Sequence, residues 1–453
     1  MNNKRSLSFT LMDMGLKKAG HVQVFDTRTC YDNGDIIPFA SQMAIVTHAL
    51  MLQGSRHGAV YESKSRDLIE AWTSSIDPKK VKVDESVMSE PSALQYSLFQ
   101  DLFKVPFPGP TNPKFTFIDL FAGMGGFRMA LQNLGGQCVF SSEWDAQAQK
   151  TYFANYGEVP FGDITSEHTK SFIPNEFDIL CAGFPCQAFS LAGKRLGFEE
   201  TRGTLFFDVA EILKRKQPKA FFLENVKGLA IHDKGKTLKT ILNTLDEVGY
   251  TVPYPQIVNA MYFGVPQHRE RIYIVGFRKD LGIKKEDFTY PEQSVVTKHF
   301  IDIREKDPVP SKYYLSTTYV NTLIRHKARH ESKGNGFGYA IVGDNEVANA
   351  IVVGGMGRER NIVIDTRQTD LTPTTRIKGE YNKDGWRRMT PREWGALQGY
   401  PVYDNGDGSP VFQIPVADAS AYKQFGNSVA VPAIQATAAQ LLKVLSDNHI
   451  LSL

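Results

Sequence analysis

The sequence predicts an α/β fold: a doubly wound, mostly parallel sheet with a second, smaller, loop-rich domain. Two observations carry this prediction. Between residues 114 and 279, β-rich apolar segments alternate with helix-forming segments, as expected where crossover helices join parallel strands. After Lys279 the alternation fades into stretches rich in Thr, Asn, Gly and Arg, which are typical of loops.

The predicted elements follow one another in a regular order. The strands are FTFIDLF, QCVFSSE, FDILCAG, KAFFLEN and RIYIVGF. FRMALQNL and DAQAQKTYFANY are predicted helices, and a further helix covers residues 238–248, whose apolar side chains recur on one helical face before Gly249. These elements build a sheet that is covered on both faces.

Composition limits the class of protein before any motif is considered. The chain has 453 residues, with 52 basic and 49 acidic side chains and a net charge of +3, which excludes a polybasic protein that holds nucleic acid by charge alone. The four cysteines form no CxxC pair, so neither a disulfide framework nor a metal site is predicted. No stretch has the roughly 20 apolar residues of a membrane span. We therefore expect a cytoplasmic protein.

The segment FIDLFAGMGG runs from a buried strand into glycines. Gly123 and Gly125 would let the backbone approach a ligand closely at the edge of the sheet, although a plain tight turn explains them equally well. Arg128 stands where a dinucleotide-binding fingerprint has its third glycine, which argues against a pyrophosphate site.

Three residues at successive strand ends favour a cofactor that contains a nucleoside. Glu143 lies 143 − 123 = 20 residues after Gly123, where a carboxylate can accept ribose hydroxyls. Trp144 could stack on an adenine, and Asp163 could hydrogen-bond its amino group. Each has a plain structural alternative: an N-cap, a core aromatic and a turn aspartate.

Cys186 lies just past a predicted strand, in FPCQ. Pro185 fixes its own φ and removes a donor, so Cys186 is held on a stiff turn where ligands bind, and we interpret it as a nucleophile. Cys181, inside the strand, suits the role of a buried apolar residue.

Two further segments place charge at strand ends. FFLENV is an apolar strand that ends in Glu224, and a buried glutamate with a raised pKa could donate a proton. In QHRERIYIVGF, Arg269 and Arg271 fall on one face of a strand-like stretch and Glu270 on the other. A surface ion-pair cluster is the alternative for the two arginines.

These motifs together resemble the cytosine-C5 DNA methyltransferases. FAGMGG, SEWD, GFPCQ, FLENV, QHRERIYIVGF, RRMTPREWGALQG and YKQFGNSVAVP occur in the family's order, over roughly residues 114–445. The resemblance is strongest to bacterial enzymes of restriction-modification systems, some of which also carry an N-terminal extension.

The resemblance implies a reaction. The thiolate of Cys186 would attack C6 of a cytosine, Glu224 would protonate or hydrogen-bond N3, and Arg271, with Arg269, would fix the O2 side. The implied methyl donor is S-adenosylmethionine, held by Phe121, Gly123, Gly125, Glu143, Trp144, Asp163, Pro185, Asn427, Ser428 and Val429. The target base must be flipped out of duplex DNA.

The resemblance also implies four parts and a DNA-binding surface. Residues 1–110 form an N-terminal extension of unknown role, 111–284 the catalytic and cofactor-binding domain, 285–385 the target-recognition domain, and 386–453 a C-terminal segment that partly returns to the catalytic domain. The expected DNA contacts are Gln187, Lys194, Arg195 and Arg202 after the cysteine, and Arg325, Arg358 and Arg360 in the recognition domain.

Three alternatives stay open at this point. One branch of the family methylates cytosine in tRNA, but it carries a further cysteine in its recognition region, and this chain has none after Cys186. A catalytically silent DNA-binding relative would have lost the motif residues, which are present. A nicotinamide-dependent dehydrogenase would need the third glycine. We expect a monomer that acts on double-stranded DNA, with a cognate restriction endonuclease as a further partner.

Overall fold

The computed structural model describes residues 31–32, 35–36, 39–74, 104–185, 205–293, 295–336, 338–354, 357–370 and 379–452. The strands are β1 (Tyr31–Asp32), β2 (Asp35–Ile36), β3 (Phe115–Leu120), β4 (Gly136–Ser142), β5 (Ile179–Gly183), β6 (Ala220–Val226), β7 (Tyr250–Thr251), β8 (Gln256–Asn259), β9 (Gln267–His268), β10 (Glu270–Arg278), β11 (Ala348–Asn349), β12 (Ile362–Ile364) and β13 (Trp386–Arg388). The helices are α1 (Phe39–Met51), α2 (Ala59–Ser74), α3 (Gly126–Gln132), α4 (Ala146–Tyr156), α5 (Glu167–Ser171), α6 (Leu205–Lys216), α7 (Lys236–Glu247), α8 (Thr317–Glu331), α9 (Pro391–Leu397), α10 (Asp418–Asn427) and α11 (Val431–Asp447).

The main sheet has seven strands in the order β4-β3-β5-β6-β10-β7, and β8 also pairs with β10. β4, β3, β5 and β6 are parallel, whereas β10 is antiparallel to β6. The predicted α/β architecture is therefore confirmed. Because β10 runs the other way, its first residues lie beside the last residues of β6, and Arg271 pairs with Val226. This places the arginine segment at the carboxyl edge of the parallel strands.

Apolar side chains cover both faces of the sheet, as the continuous apolar strands predict. On one face, Phe117 and Phe222 belong to a cluster that includes residues of α3 and α11. On the other face, Ile118 and Leu223 belong to a cluster with residues of α1, α2, α6 and α7. Ile241 and Leu245 provide the buried side of α7, as the periodicity of residues 238–248 predicts.

The N-terminal helices α1 and α2 cover β4, the edge strand of the sheet. Tyr61 Oη donates to the backbone oxygens of Val139 (2.9 Å) and Phe172 (3.1 Å). Ser141 N donates to His48 Nε2 at 3.3 Å. Side chains of the helices thus satisfy backbone groups that an edge strand would otherwise leave unpaired.

A buried polar network joins α1 to the sheet. Glu158 Oε1 lies 2.8 Å from Arg128 Nη1 and 3.2 Å from His48 Nε2, and all three side chains are inaccessible to solvent. Ser141 Oγ donates to the same carboxylate oxygen. Although burial raises it, the charge of Arg128, the neighbouring ring of His48 and the hydrogen bond from Ser141 lower the pKa of Glu158 to about 2. Glu158 is therefore the buried counter-charge of Arg128.

The chain after Lys279 contains short strands and 3-10 turns around the longer helix α8, which fits the loop-rich region predicted there. β9 pairs with β11, and β12 pairs with β13. Arg387 is buried between Asp365 and Glu393, with its Nε 3.0 Å and Nη1 2.8 Å from their carboxylates. Contrary to the expectation from the sequence, the later stretch Asp418–Asp447 is long and apolar enough to cross a membrane, but 61% of its most apolar 18-residue segment is buried inside the fold, as in a core helix.

Candidate functional site

A cavity of about 420 Å³ opens at the carboxyl edge of the parallel strands. Its volume falls in the range of small-molecule sites. The cavity wall includes these predicted site residues: Phe121, Gly123, Glu143, Trp144, Pro185, Glu224, Arg269, Arg271, Asn427, Ser428 and Val429. Segments far apart in the sequence therefore meet around one space.

Glu143 is held by two backbone donors. Gly123 N donates to Oε2 and Asp145 N donates to Oε1, each at 2.8 Å. Gly123 has φ +56°, a left-handed conformation that favours glycine, and this turns its N–H toward the carboxylate. Burial raises the pKa of Glu143, and the backbone donors oppose that rise. Each carboxylate oxygen keeps a further lone pair that can accept a hydroxyl group.

Trp144 is 81% exposed although it belongs to a residue type that is usually well covered. Its side chain lines the cavity beside Glu143. The core-aromatic alternative for this residue is therefore wrong. An exposed indole next to an anchored carboxylate fits a ligand with an aromatic ring and vicinal hydroxyls, such as an adenosine.

Two residues predicted to hold the cofactor are not part of this cavity wall. Gly125 packs against Tyr156: a Cβ at this position would collide with the tyrosine ring, and Tyr156 Oη donates to Gly125 O at 2.9 Å. Asp163 is exposed, and its Oδ1 accepts from Thr165 N at 2.9 Å, which is the turn role offered as its alternative. Their cofactor contacts remain predictions.

Glu224, two residues before the end of β6, lies in the cavity wall and is paired with Arg271. Arg271 Nε lies 3.2 Å from Glu224 Oε1. Burial raises the pKa of Glu224, while the charges of Arg271 and Arg269 lower it in opposition. A glutamate in this balance can hold a proton and release it to a neighbouring base.

Arg269 also reaches the cavity, but its guanidinium serves a different purpose. Nη1 donates to Ile351 O at 3.0 Å and Nη2 donates to Ser428 O at 2.5 Å. The side chain is only 3% exposed, and burial lowers its pKa. Through these two hydrogen bonds, Arg269 ties the backbone at Ile351 and at Ser428, the residue after α10, to the segment between β9 and β10. The surface-cluster alternative for the two arginines is wrong.

Asn225 is a site residue that the sequence analysis did not single out. Its Nδ2 donates to Phe184 O at 2.8 Å, and the side chain is 2% exposed. This bond holds the turn that leads through Pro185 into Cys186. Cys186 itself, with Gln187, Lys194, Arg195 and Arg202, lies outside the described residues. The sequence signal for Asn225 was its place beside Glu224 in FLENV.

The C-terminal wall comes from the start of YKQFGNSVAVP. Ser428 Oγ and Tyr400 Oη are 2.8 Å apart, so a hydrogen bond fixes the serine side chain. Lys423 Nζ lies 2.5 Å from Asp145 Oδ2, which links this wall to the segment that carries Trp144. Lys423 and Asp145 both line the cavity and were not predicted.

The predicted DNA contacts of the loop-rich region are accessible. Arg325 on α8, Arg358 and Arg360 are exposed. The guanidinium of Arg358 lies 5.3 Å from the ring centre of Tyr422, in a cation–π contact. Among the described residues, no group of three or more His, Cys, Asp or Glu side chains could hold a metal ion.

Comparisons with known proteins place these residues in a family context. A family profile described as C-5 cytosine-specific DNA methylase matches residues 115–443. The chain is 66% identical over 369 residues to the Type II methyltransferase M.HpaII of Haemophilus parainfluenzae, a match that covers 81% of this chain and 99% of that protein. It is 46% identical over 354 residues to the Type II methyltransferase M.SsoII of Shigella sonnei, covering 76% and 84%.

Solved structures show the same fold at low identity. The Schizosaccharomyces pombe (S. pombe) Dnmt2 methyltransferase superposes with a TM-score of 0.53 at 20% identity and covers 73% of this chain and 99% of that chain. The Entamoeba histolytica methyltransferase EhMeth gives a TM-score of 0.52 at 20% identity, with 74% and 99% covered. At this identity the likeness concerns the fold.

Proposed function

The chain belongs to the C-5 cytosine-specific DNA methylase family, and from this premise we propose which of its residues carry the reaction. It is a DNA (cytosine-5-)-methyltransferase that acts sequence-specifically in a restriction-modification system. The observation that supports the residue assignment best is the Arg271–Glu224 pair in the same cavity as the Glu143 carboxylate.

Cys186 is the nucleophile. Its thiolate attacks C6 of the flipped cytosine and forms a C–S bond, while N3 takes up a proton and C5 becomes an enamine carbon. After methyl transfer to C5, a base removes the C5 proton and the electron pair expels the Cys186 sulfur. Asn225 acts as a positioning residue because it fixes the carbonyl of Phe184, two residues before the cysteine.

Glu224 supplies the proton or hydrogen bond to N3. Its buried position keeps the protonated form accessible, which supports this role. Arg271, paired with Glu224, holds the O2 side of the ring. Arg269 contacts backbone carbonyls, so its contribution is to position the cavity wall around Ser428.

The residues of the cavity fit S-adenosylmethionine. Glu143 can accept the ribose hydroxyls, and the exposed ring of Trp144 can stack on the adenine. Gly123 leaves open space around its Cα, which suits a ligand that lies against the backbone. When bound, S-adenosylmethionine supplies the methyl group from its sulfonium. Pro185, Ser428 and Val429 complete the wall.

Residues 285–385 read the DNA sequence, through the major groove. The exposed guanidinium groups of Arg325, Arg358 and Arg360 support this assignment, because arginine is suited to both phosphates and guanine edges. We further assign the enzyme to the cytoplasm as a monomer, since one cavity of a single chain brings together Glu143, Glu224 and Arg271. A cognate restriction endonuclease is its expected partner in the cell.

The test is a methyl-transfer assay with labelled S-adenosylmethionine. Wild type and Cys186→Ala are incubated with mixed-sequence duplex DNA or with total tRNA, and the product bases are analysed. We expect 5-methylcytosine in DNA with the wild type alone. Label in tRNA only would contradict the DNA substrate, and activity in Cys186→Ala would contradict the nucleophile. Bisulfite mapping of the same DNA gives the target site.

A further inference from the structure

The segment that joins β6 to α7 leaves the catalytic edge of the sheet directly. We call residues 227–236 the basic turn. It begins one residue after Val226, which lines the cavity two positions beyond Glu224. Leu229 anchors it, because this side chain is fully buried in the core on one face of the sheet. The basic turn is thus held at the mouth of the site.

The backbone of the basic turn is strained. Asp233 (φ +47°), Lys234 (φ +54°) and Gly235 (φ +82°) are three successive residues in the left-handed conformation. For Asp233 and Lys234 this conformation costs free energy, since a side chain crowds the following carbonyl. His232 Nδ1 lies 2.6 Å from Thr237 Oγ1, a contact that spans the three residues. Strain of this kind tends to be retained at functional sites.

The strained turn presents an apolar side chain and free positive charge to solvent. Ile231 is 80% exposed, and Val226 beside the cavity is 42% exposed. Lys234 and Lys236 are exposed and pair with no carboxylate in the described part of the chain. Residues 227–236 contain three lysines and one aspartate, a net of +2. Of these lysines, Lys227 pairs with Glu270 at 2.8 Å, which leaves Lys234 and Lys236 as the charges that the turn presents.

We propose that the basic turn is a docking surface for the sugar–phosphate backbone of DNA beside the target cytosine. Lys234 and Lys236 neutralise phosphates, and Ile231 packs against a deoxyribose. The argument is charge complementarity on a surface continuous with the catalytic cavity. It rests on the proposed function, because the strand that delivers the cytosine to Glu224 must pass this edge of the sheet.

The experiment measures binding to a fluorescent unmethylated duplex and steady-state methylation, each over a series of KCl concentrations. The variants are Lys234→Ala/Lys236→Ala and Ile231→Ser, with Lys443→Ala, an exposed lysine on α11, as the matched control. Each variant replaces only exposed side chains, so folding should be preserved. Circular dichroism and the KM for S-adenosylmethionine report on this.

For the double variant we expect the slope of log affinity against log salt to fall by about two, because each lost phosphate contact removes about 0.9. The KM for DNA should rise about ten-fold at moderate salt, with kcat and the KM for S-adenosylmethionine unchanged. Ile231→Ser should weaken DNA binding while the salt slope stays that of the wild type. Lys443→Ala should match the wild type in every measurement.

An unchanged salt slope and DNA affinity in the double variant would overturn the proposal. Lys443→Ala removes one charge where the double variant removes two. About half of the double variant's loss of salt slope in this control would also overturn the proposal, because the effect would then be one of net charge. The binding measurement distinguishes a failure of the proposed DNA surface from a failure of the proposed function. If the wild type transfers no methyl group to DNA, the proposed function fails, yet salt-dependent binding that the double variant loses would still support the surface.

Discussion

Arg271 and Glu224 meet across two antiparallel strands, with Nε 3.2 Å from Oε1. In the strand register Arg271 pairs with Val226, two residues beyond Glu224, so the contact between Arg271 and Glu224 is a diagonal one on the same face of the sheet. The arginine opposes the rise in pKa that burial imposes on Glu224. The pair therefore controls when the glutamate carries its proton.

Glu224→Gln tests the proton role directly. The amide keeps the shape of the side chain but cannot transfer a proton, so we expect the methylation rate to fall by about 10²- to 10⁴-fold. The affinity for S-adenosylmethionine should stay within two-fold of the wild type, as measured by equilibrium dialysis. A rate close to that of the wild type would contradict the role.

Arg271→Ala tests the electrostatic balance through pH. Only protonated Glu224 can donate, so the wild-type rate should fall as pH rises through the pKa of Glu224. Arg271 lowers that pKa, and its removal should move the falling limb to higher pH, together with a lower maximum rate. Single-turnover rates across the pH range measure this. Arg271→Lys keeps the positive charge, so the pH at which the rate falls should return toward its wild-type value.

Trp144→Ala tests the cofactor site. Stacking of a base on an aromatic side chain contributes about 1–3 kcal/mol, so the Kd for S-adenosylmethionine should rise by about five- to 150-fold. Trp144→Phe keeps a ring in place and should lose much less. Titration calorimetry measures both. Since Trp144 is 81% exposed, thermal stability should be unaffected in either variant.

Asp119→Asn should change how stability depends on pH. Burial raises the pKa of Asp119 from 3.8 to about 8, with Arg128 opposing the rise. Between these pH values the folded chain binds more protons than the unfolded chain, so the wild type should lose stability as pH rises through this window. The Asp119→Asn variant should not show this loss of stability, because asparagine does not titrate. Denaturant unfolding at pH 5 and at pH 8.5 compares the two proteins, and parallel changes would contradict the prediction.

Glu158→Gln should destabilise the fold strongly. It leaves the buried guanidinium of Arg128 without its counter-charge, which costs about 3–5 kcal/mol. Glu158 has a lowered pKa, so its contribution is present above pH 4.5 and is lost as pH falls toward 2. Glu176→Gln is the matched control, because its pair with Arg56 is exposed and contributes less than about 1 kcal/mol. Equal losses in both variants would contradict the network's role.

The strand ends of the site could be predicted from the sequence because they depend on local pattern. The spacing of 20 residues between Gly123 and Glu143 predicted a common ligand, and the structure places the two in direct contact at 2.8 Å. The apolar run before Glu224 predicted its burial, and the structure leaves the residue 8% exposed. Both inferences need only the geometry of parallel strands.

Other features depend on contacts between distant segments. Gly125 must be a glycine because the ring of Tyr156 occupies the space that a Cβ would need. No local sequence pattern reveals this contact. Arg269 bonds Ile351 and Ser428, more than 80 residues further along the chain. The helix α1 is rich in apolar residues and has no strongly polar face, so its sequence indicates burial but does not identify β4 as the strand it covers.

The packing of α1 and α11 has a consequence for the order of synthesis. In the described part of the chain, α1 and α11 cover opposite faces of one sheet, so the face under α1 is complete once β10 has been made, whereas the opposite face stays incomplete until α11 has left the ribosome. A nascent chain that already contains Glu143 and Glu224 still exposes apolar strands awaiting α11. Methylation activity should therefore begin only once α11 has been synthesised, and chains truncated before α11 should aggregate instead of acting as partial enzymes.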